Sequence, residues 1–235
     1  MLSIVTGTLE RRHLLPGLIA NTVDANEQLE LVLVDGGSTD GTIDYIKGLN
    51  HPRIKLIEVG HRSPYPHYMN LGIRNASYDY ICQWNDDVLL LNSWNEVIIL
   101  MQTCDACLFS WQHGELNSLP NSWNLMYDKT ADPKCGNEVV MNYGTYKKEI
   151  FKKIGMYDNS YLYRYVDGDM SFRAWSFGFK VYPAYEIKVL SLLSELNTKR
   201  MTEYPMTLNP EDLQNYANHL AMYRRKELST TAEFL

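Results

Sequence analysis

The run Leu29–Asp35 and the segment behind it constrain this chain more than any other feature. Apart from Glu30 the run is apolar up to its final carboxylate, as a strand covered on both faces must be. It leads into Gly36-Gly37-Ser38-Thr39-Asp40-Gly41-Thr42, a turn whose residues tolerate unusual backbone angles and cap helices. A helical stretch follows over residues 43–48. Strand, tight polar turn and helix make half of a βαβ unit. The same alternation recurs: strands at 2–6, 54–59 and 80–85, helices at 14–26 and 66–75. Repeated units of this kind imply right-handed crossovers and a mostly parallel sheet, with ligand groups gathered at the carboxyl ends of the strands.

The second half is less regular. Residues 93–103, 147–154 and 167–177 read as helices, 106–110 as a short strand, 180–190 as extended, and 111–138 as a loop-rich excursion. Pro210 marks the first turn of a last helix. There Leu213, Tyr216, Ala217, Leu220 and Tyr223 form one apolar stripe, followed by the basic end Arg224-Arg225-Lys226. Packing back onto the domain is the expected use of that stripe; self-association or a peripheral membrane contact is the alternative. With no repeat, low-complexity tract or linker, the 235 residues are expected to form one α/β domain. Within it, residues 1–100 and 101–190 are two functional halves and 191–235 a helical extension.

Charge narrows the partners. A net charge of −6 argues against nucleic acid, which needs a basic face to displace counterions. A small anionic ligand is still allowed, since a metal ion or helix N-terminus supplies local positive charge. The opening Met1-Leu2-Ser3-Ile4-Val5 lacks a basic n-region and is expected to be a strand rather than a signal peptide. No apolar run approaches a membrane span. Cys104 and Cys107 form one C-x-x-C without a second pair, so free thiols, as in a cytoplasmic protein, are expected rather than a zinc site.

Three acidic clusters follow strands or open a helix. Asp35 with its glycine-rich turn suits either a ribose and base or simply a tight turn with a helix cap. Asn85-Asp86-Asp87 follows an apolar strand; two adjacent carboxylates repel, and a divalent cation such as Mg²⁺ or Mn²⁺ resolves the conflict. Asp167-Gly168-Asp169 opens a helix, where either acid can cap it, and Asp169 can pair with Arg173 one turn on. Together the clusters match the needs of phosphate-linked group transfer: a nucleotide grip, a metal for the diphosphate and a base for the acceptor.

In this order the motifs resemble those of inverting family 2 glycosyltransferases of the GT-A fold, which have a Rossmann-like central sheet. Ser3-Ile4-Val5-Thr6-Gly7-Thr8-Leu9-Glu10-Arg11 stands at the family's opening strand and loop. Leu33-Val34-Asp35-Gly36-Gly37-Ser38-Thr39-Asp40-Gly41-Thr42 matches its strongest signature. Asn70-Leu71-Gly72-Ile73-Arg74-Asn75-Ala76 matches the helix before the metal motif, and Asn85-Asp86-Asp87 stands at the D-x-D. Gly155-Met156-Tyr157-Asp158 and Val166–Ala174 resemble the acceptor-side segment. There are departures: Asn85 replaces the first acid of D-x-D, Gly36 a frequent second acid, and Val166 a frequent Glu.

The resemblance implies in-line displacement at the anomeric carbon of a nucleoside-diphosphate sugar, with uridine the expected nucleoside, and transfer to a hydroxyl of a glycan or other acceptor. Asp87 would hold Mn²⁺ or Mg²⁺, and Asp167, a carboxylate with an ordinary pKa of about 4, would accept the acceptor's proton. Thr8, Glu10, Asp35, Gly36, Asn85 and Asp86 would line the nucleotide, with Arg62 or Arg74 reaching phosphate. Tyr165, Asp169 and Trp111 would be on the acceptor side. Sugars stack their C–H faces on aromatic rings, so several of the dense set Trp111, Trp123, Tyr143, Tyr161, Tyr163 and Tyr165 can line an acceptor site, with core packing the expected use of any single one. Two rivals share the layout. A sugar-nucleotide nucleotidyltransferase needs a glycine-rich basic phosphate loop, which Gly7–Arg12 matches poorly. A non-catalytic glycan- or nucleotide-binding module has no need to retain Asp86, Asp87 and Asp167 together.

Overall fold

The computed structural model describes residues 1–125, 143–162, 165–192 and 210–225. In chain order these form β1 (Leu2–Thr8), α1 (Leu15–Asn21), β2 (Leu29–Asp35), α2 (Thr42–Leu49) and β3 (Ile54–Glu58). Next come α3 (Tyr65–Asn75), β4 (Tyr80–Gln83), β5 (Val88–Leu90), α4 (Trp94–Leu100) and β6 (Ala106–Gly114). The last elements are β7 (Gly144–Lys147), α5 (Lys148–Ile154), α6 (Val166–Ser176), β8 (Val181–Leu192) and α7 (Pro210–Arg225).

The strands share one sheet in the order β3-β2-β1-β4-β7-β6-β8-β5. Pairing is parallel across β3, β2, β1 and β4 and again between β6 and β8. It is antiparallel where β7 joins β4 to β6 and where β5 joins β8. This is the expected α/β sheet, with its parallel character concentrated in the first half.

The apolar run of β2 now has its reason. Leu29, Leu31 and Leu33 enter one core cluster, while Val32 enters the other on the opposite face. The first cluster packs α1, α2 and α4 through Leu15, Leu18, Ile46 and Val97. The second packs α3, α5, α6 and α7 through Met69, Ile73, Phe151, Met170 and Tyr216. Each large apolar side chain so buried contributes about 1.5–3 kcal/mol. Gly72 lets α3 ride directly on the sheet: a Cβ there would stand 2.3 Å from Val5 Cγ1 and 3.3 Å from Val34 Cγ2.

Several expectations need correction. The helix expected over 14–26 ends at Asn21. Buried Thr22 turns its hydroxyl back to the Leu18 carbonyl, and Asp24 N–H reaches Ile19 O instead of continuing the ladder. The strand expected at 106–110 runs on to Gly114 because β8 pairs along its whole length. β5 and β7 have no counterpart in the sequence reading; both are short and exist through their ladder partners.

In α7 the packed face is Asp212, Tyr216 and part-buried His219, whereas Leu213 and Ala217 are exposed. Of the expected apolar stripe Tyr216 docks on the domain, joined by Asp212 and His219 with their polar partners, while Leu213 and Ala217 face outward; the side chains of Leu220 and Tyr223 lie outside the described residues. Cys82, Cys104 and Cys107 are free and buried, as expected; Cys135, Tyr163 and Lys226 lie outside the described residues. No helix among the described residues is long and apolar enough to cross a membrane.

Candidate active site

Four loops meet at the carboxyl ends of the parallel strands, the place where open α/β sheets bind ligands. The loops after β1 and β2 are laced together. Ser38 Oγ accepts from Glu10 N–H at 2.9 Å, and Glu10 Oε1 accepts from the Thr39 amide at 2.6 Å and its hydroxyl at 3.1 Å. Arg12 N–H donates to Asp40 Oδ2, and the Arg12 guanidinium lies 3.4 Å over the Tyr45 ring. Glu10 adopts φ +56°, a left-handed conformation that costs a non-glycine residue about 1–3 kcal/mol. Its three bonds to the neighbouring loop hold it there.

Asp35 is fully buried by its own turn. Oδ1 accepts from the amides of Gly37 and Ser38, and Oδ2 from the Ser38 hydroxyl at 2.5 Å. The role visible for Asp35 is to shape the loop. Gly36 N–H continues the β1–β2 ladder to Thr8 O, and a side chain there would meet only ordinary contacts. Gly37 is the position that requires glycine, with φ +92° and a would-be Cβ 2.8 Å from Gly60 C.

The acid pair occupies the short hop from β4 to β5. Trp84 anchors it: fully buried, it packs against Trp94, Phe109 and Tyr143, and its amide donates to Val5 O. Aromatic pairs of this kind add about 0.5–1.5 kcal/mol each beyond their buried area. Thr8 Oγ donates to Asp86 Oδ2 at 2.9 Å, and Arg11 Nη1 stands 3.9 Å from Asp87 Oδ2. Leu192 N–H, at the end of β8, donates to the Asp87 carbonyl, so both chain halves fix this acid. Asn85 turns its amide to the Tyr143 hydroxyl at 3.4 Å.

Among the described residues no three His, Cys, Asp or Glu side chains converge as a metal cage. The donor set nevertheless fits a hard divalent cation. Asp86 and Asp87 supply carboxylate oxygens at a partly exposed position, and such ions commonly take one or two protein ligands and complete the shell with phosphate and water.

Asp167 lies in the first turn of α6, and Oδ1 accepts from Gly168 N–H at 3.0 Å. Burial pushes its carboxyl up to about 6, against the pull of that amide. The expected ordinary pKa near 4 is thereby corrected: desolvation exceeds the helix-terminus effect. Burial also holds the phenols of Tyr65, Tyr146 and Tyr157 well above the ordinary range, and the Asp167 charge pushes all three the same way. Tyr143 connects the two acidic loops. Its phenol is raised by burial first, then by the charge of Asp87, with Asp167 adding to it. The charges of Asp87 and Asp167 thus both reach the Tyr143 hydroxyl, which Asn85 contacts directly. Trp111, partly exposed, presents its ring edge to Tyr143 at 5.9 Å between centroids.

Not every expected residue joins this group. Arg62 is exposed with its backbone beside Gly36, at the nucleotide loops. Arg74 sits in the last turn of α3, the opposite end of the helix from Tyr65, and lines a shallow depression with Ser63, His67 and Asn159. The structure does not bring it to the acids. Asp169 is removed from the acceptor side: it is fully buried, 3.6 Å from Arg173 Nη2 and 2.8 Å from His219 Nδ1. Tyr161 is likewise core, whereas Tyr165 is half-buried with φ +64°. Sequence reasoning did not single out Arg11, although it ends the loop that carries Thr8 and Glu10. It also placed Tyr143 only among the aromatics, since nothing local marks a residue whose role comes from two distant loops.

The sequence profile of glycosyl transferase family 2 matches residues 3–155, more than half of the chain. The chain belongs to this family. No curated protein matches it significantly. Among solved structures, residues 1–349 of S. aureus TarS in complex with UDP superpose with a TM-score of 0.66 at 16% identity, covering 94% of this chain and 64% of that one. The same S. aureus fragment with UDP-GlcNAc gives 0.67 at 15%, covering 94% and 66%. The mannosyltransferase PcManGT from Pyrobaculum calidifontis, in complex with GDP-Man and Mn2+, gives 0.62 at 13%, covering 94% and 69%. At these identities the likeness establishes the fold. This family 2 chain spans under two thirds of the first TarS fragment's length.

Proposed function

We propose that this family 2 protein transfers a sugar from a nucleoside-diphosphate donor to an acceptor hydroxyl, with inversion and with a divalent cation. The observation that supports the reading is that Tyr143 lies between the two acidic segments: its hydroxyl is met by Asn85, and the charges of Asp87, a metal-side acid, and Asp167, a base candidate, both reach it. The laced loops of Glu10 and Ser38 supply a floor for the nucleoside beside Asp35. A Mn²⁺ or Mg²⁺ ion held by Asp87, with Asp86 beside it, would neutralise charge on the departing diphosphate. On the other side, Asp167 takes the acceptor's proton as its oxygen attacks. A carboxylate raised to about 6 is still mostly ionised near neutral pH and is a stronger base than an ordinary Asp.

Uridine is the nucleoside this reading favours, supported by UDP and UDP-GlcNAc in the TarS complexes; GDP-Man in the other neighbour supports the donor class more broadly. Trp111 and Tyr165 are the residues assigned to the acceptor in this reading, and the free thiols agree with a cytoplasmic setting. The deciding experiment measures nucleoside diphosphate released from a panel of nucleotide sugars, with Mn²⁺ or with chelator. Metal-dependent release that Asp87→Ala abolishes supports the reading. Binding of nucleotide sugar without any release, with or without added acceptors, overturns it in favour of a binding module.

A further inference from the structure

The last helix touches the segment that carries Asp167 at successive points. Tyr216 stacks on Tyr165 with centroids 5.1 Å apart and planes 18° from parallel. Tyr165 is the residue held at φ +64°, two positions before the base. The Tyr216 hydroxyl would stand 3.3 Å from any Cβ at Gly168, so its ring also closes over the residue after the base. Asp212 Oδ1 accepts from Leu162 N–H at 2.7 Å, and Leu162 O accepts from Tyr65 N–H at the start of α3, whose ring packs on Tyr68 and Tyr157.

His219 completes the contact. Its Nδ1 lies 2.8 Å from Asp169 Oδ1 and 3.3 Å from the Tyr161 hydroxyl, and its Nε2 lies 3.6 Å from Asp158 Oδ2. Asp169 in turn meets Arg173, whose guanidinium donates to the carbonyls of Ile154 and Met156 at the end of α5. The first turn of α6 is thus gripped from below by Arg173 and from outside by α7. α7 leaves Leu213 exposed and packs Tyr216, Asp212 and His219 against the first turn of α6 and the segment that leads into it.

We infer that α7 belongs to the catalytic apparatus, with Tyr216 and His219 as positioning residues that hold the turn of Tyr165–Gly168 and thereby aim Asp167. The inference rests on the assignment of Asp167 as the base. Neither residue touches a reacting atom. Tyr216 keeps Tyr165 in its left-handed conformation, and His219 keeps Asp169 and the first turn of α6 in place.

The test uses the full chain with Tyr216→Ala, Tyr216→Leu, Tyr216→Phe, His219→Ala and His219→Gln. Amide exchange is followed over residues 165–172 and over β1 and β2, alongside kcat for UDP release from UDP-GlcNAc, or whichever nucleotide sugar the wild type turns over, and the Kd of UDP with Mn²⁺. The alanine variants and Tyr216→Leu are expected to speed exchange at 165–172 by at least about tenfold while β1 and β2 stay protected. Their kcat is expected to fall by at least about tenfold with UDP affinity within about twofold, the mark of an interaction that matters in the transition state. Tyr216→Phe retains the stack and is expected to behave as wild type. Should an alanine variant fail to fold, Tyr216→Leu and His219→Gln keep bulk and give the same readout. Unchanged exchange at 165–172, or exchange rising equally in all strands, overturns the inference. A wild type that turns over no nucleotide sugar sinks the enzyme reading, and exchange alone then judges the grip of α7. A wild type that turns over while these variants keep full kcat sinks only the inference.

Discussion

The Thr8 hydroxyl donates to the Asp86 carboxylate at 2.9 Å, joining residues 78 positions apart across the carboxyl edge of β1 and β4. With the contact of Arg11 to Asp87 it links the loop after β1 to the acid pair. A hydrogen bond to a charged group contributes about 1.5–3 kcal/mol. Thr8→Val keeps the shape and removes the donor, so thermal unfolding should show a loss of about 1–2 kcal/mol. UDP binding with Mn²⁺, measured calorimetrically, should weaken severalfold while UDP without metal changes little.

Asp87→Ala separates metal from fold. Its carboxylate is partly exposed, and its partner Arg11 is 3.9 Å away, so the apo melting temperature should shift by little; partly exposed ion pairs are worth about 0–1 kcal/mol. Turnover and the stabilisation by Mn²⁺ plus UDP should both vanish. At a hundredfold excess over Kd that stabilisation is about 2.7 kcal/mol in the wild type, which a melting scan with and without chelator resolves. Normal transfer by the variant removes Asp87 from the metal role.

Two neighbouring acids should respond in opposite ways. Asp167→Asn keeps size but accepts no proton, so kcat should fall by about 100 to 10,000-fold with UDP affinity nearly constant. Asp169→Asn leaves buried Arg173 without its carboxylate, and breaking such a pair costs about 3–5 kcal/mol. Its signature should be a lower melting temperature. Retained kcat in Asp167→Asn beside inactive but stable Asp169→Asn reverses the assignment.

The raised Asp167 pKa predicts the acid limb of kcat/KM at about 6, since the base acts ionised; a limb near 4 places the base elsewhere. Linkage gives a second check. Folded Asp167 holds its proton up to about 6 and the unfolded chain only to 3.8, so its contribution to stability falls as pH rises between these values. Asn carries no such penalty. Asp167→Asn should therefore be more stable than wild type by about 1–3 kcal/mol above this window, and the gain should disappear below it.

His219 behaves differently. Its pKa is raised from 6.5, chiefly by the hydrogen bond to Asp169 and with the charge of Asp158 adding to it. The stability it contributes is present below 6.5 and lost as pH rises through its folded value. Exchange protection of α7, corrected for the intrinsic rate, should decline over that rise in wild type and stay flat in His219→Gln. Equal decline in both excludes His219 as its source.

The sequence by itself determined the first half of the sheet and the acids at its edge. A nearly continuous apolar run such as 29–35 reads as a strand covered twice, and Gly36–Thr42 as a sharp turn into a helix, so β1 to β4 and the places of Asp35, Asp86 and Asp87 at their ends, like that of Asp167 at a helix start, followed from local pattern. Tertiary structure alone decided what depends on partners remote in the chain. β5 and β7 are too short to hold without β8, β4 and β6, and α7 docks through Tyr216 together with Asp212 and His219, which find their polar partners in Leu162 and Asp169. It also divided the roles of Asp167 and Asp169. Two residues apart on one helix, they differ because burial lifts the pKa of one, while the other is sealed against Arg173 and His219. Periodicity records which residues are buried. Which side chains they are buried against is set by the packing of distant segments, and that packing decides their chemistry.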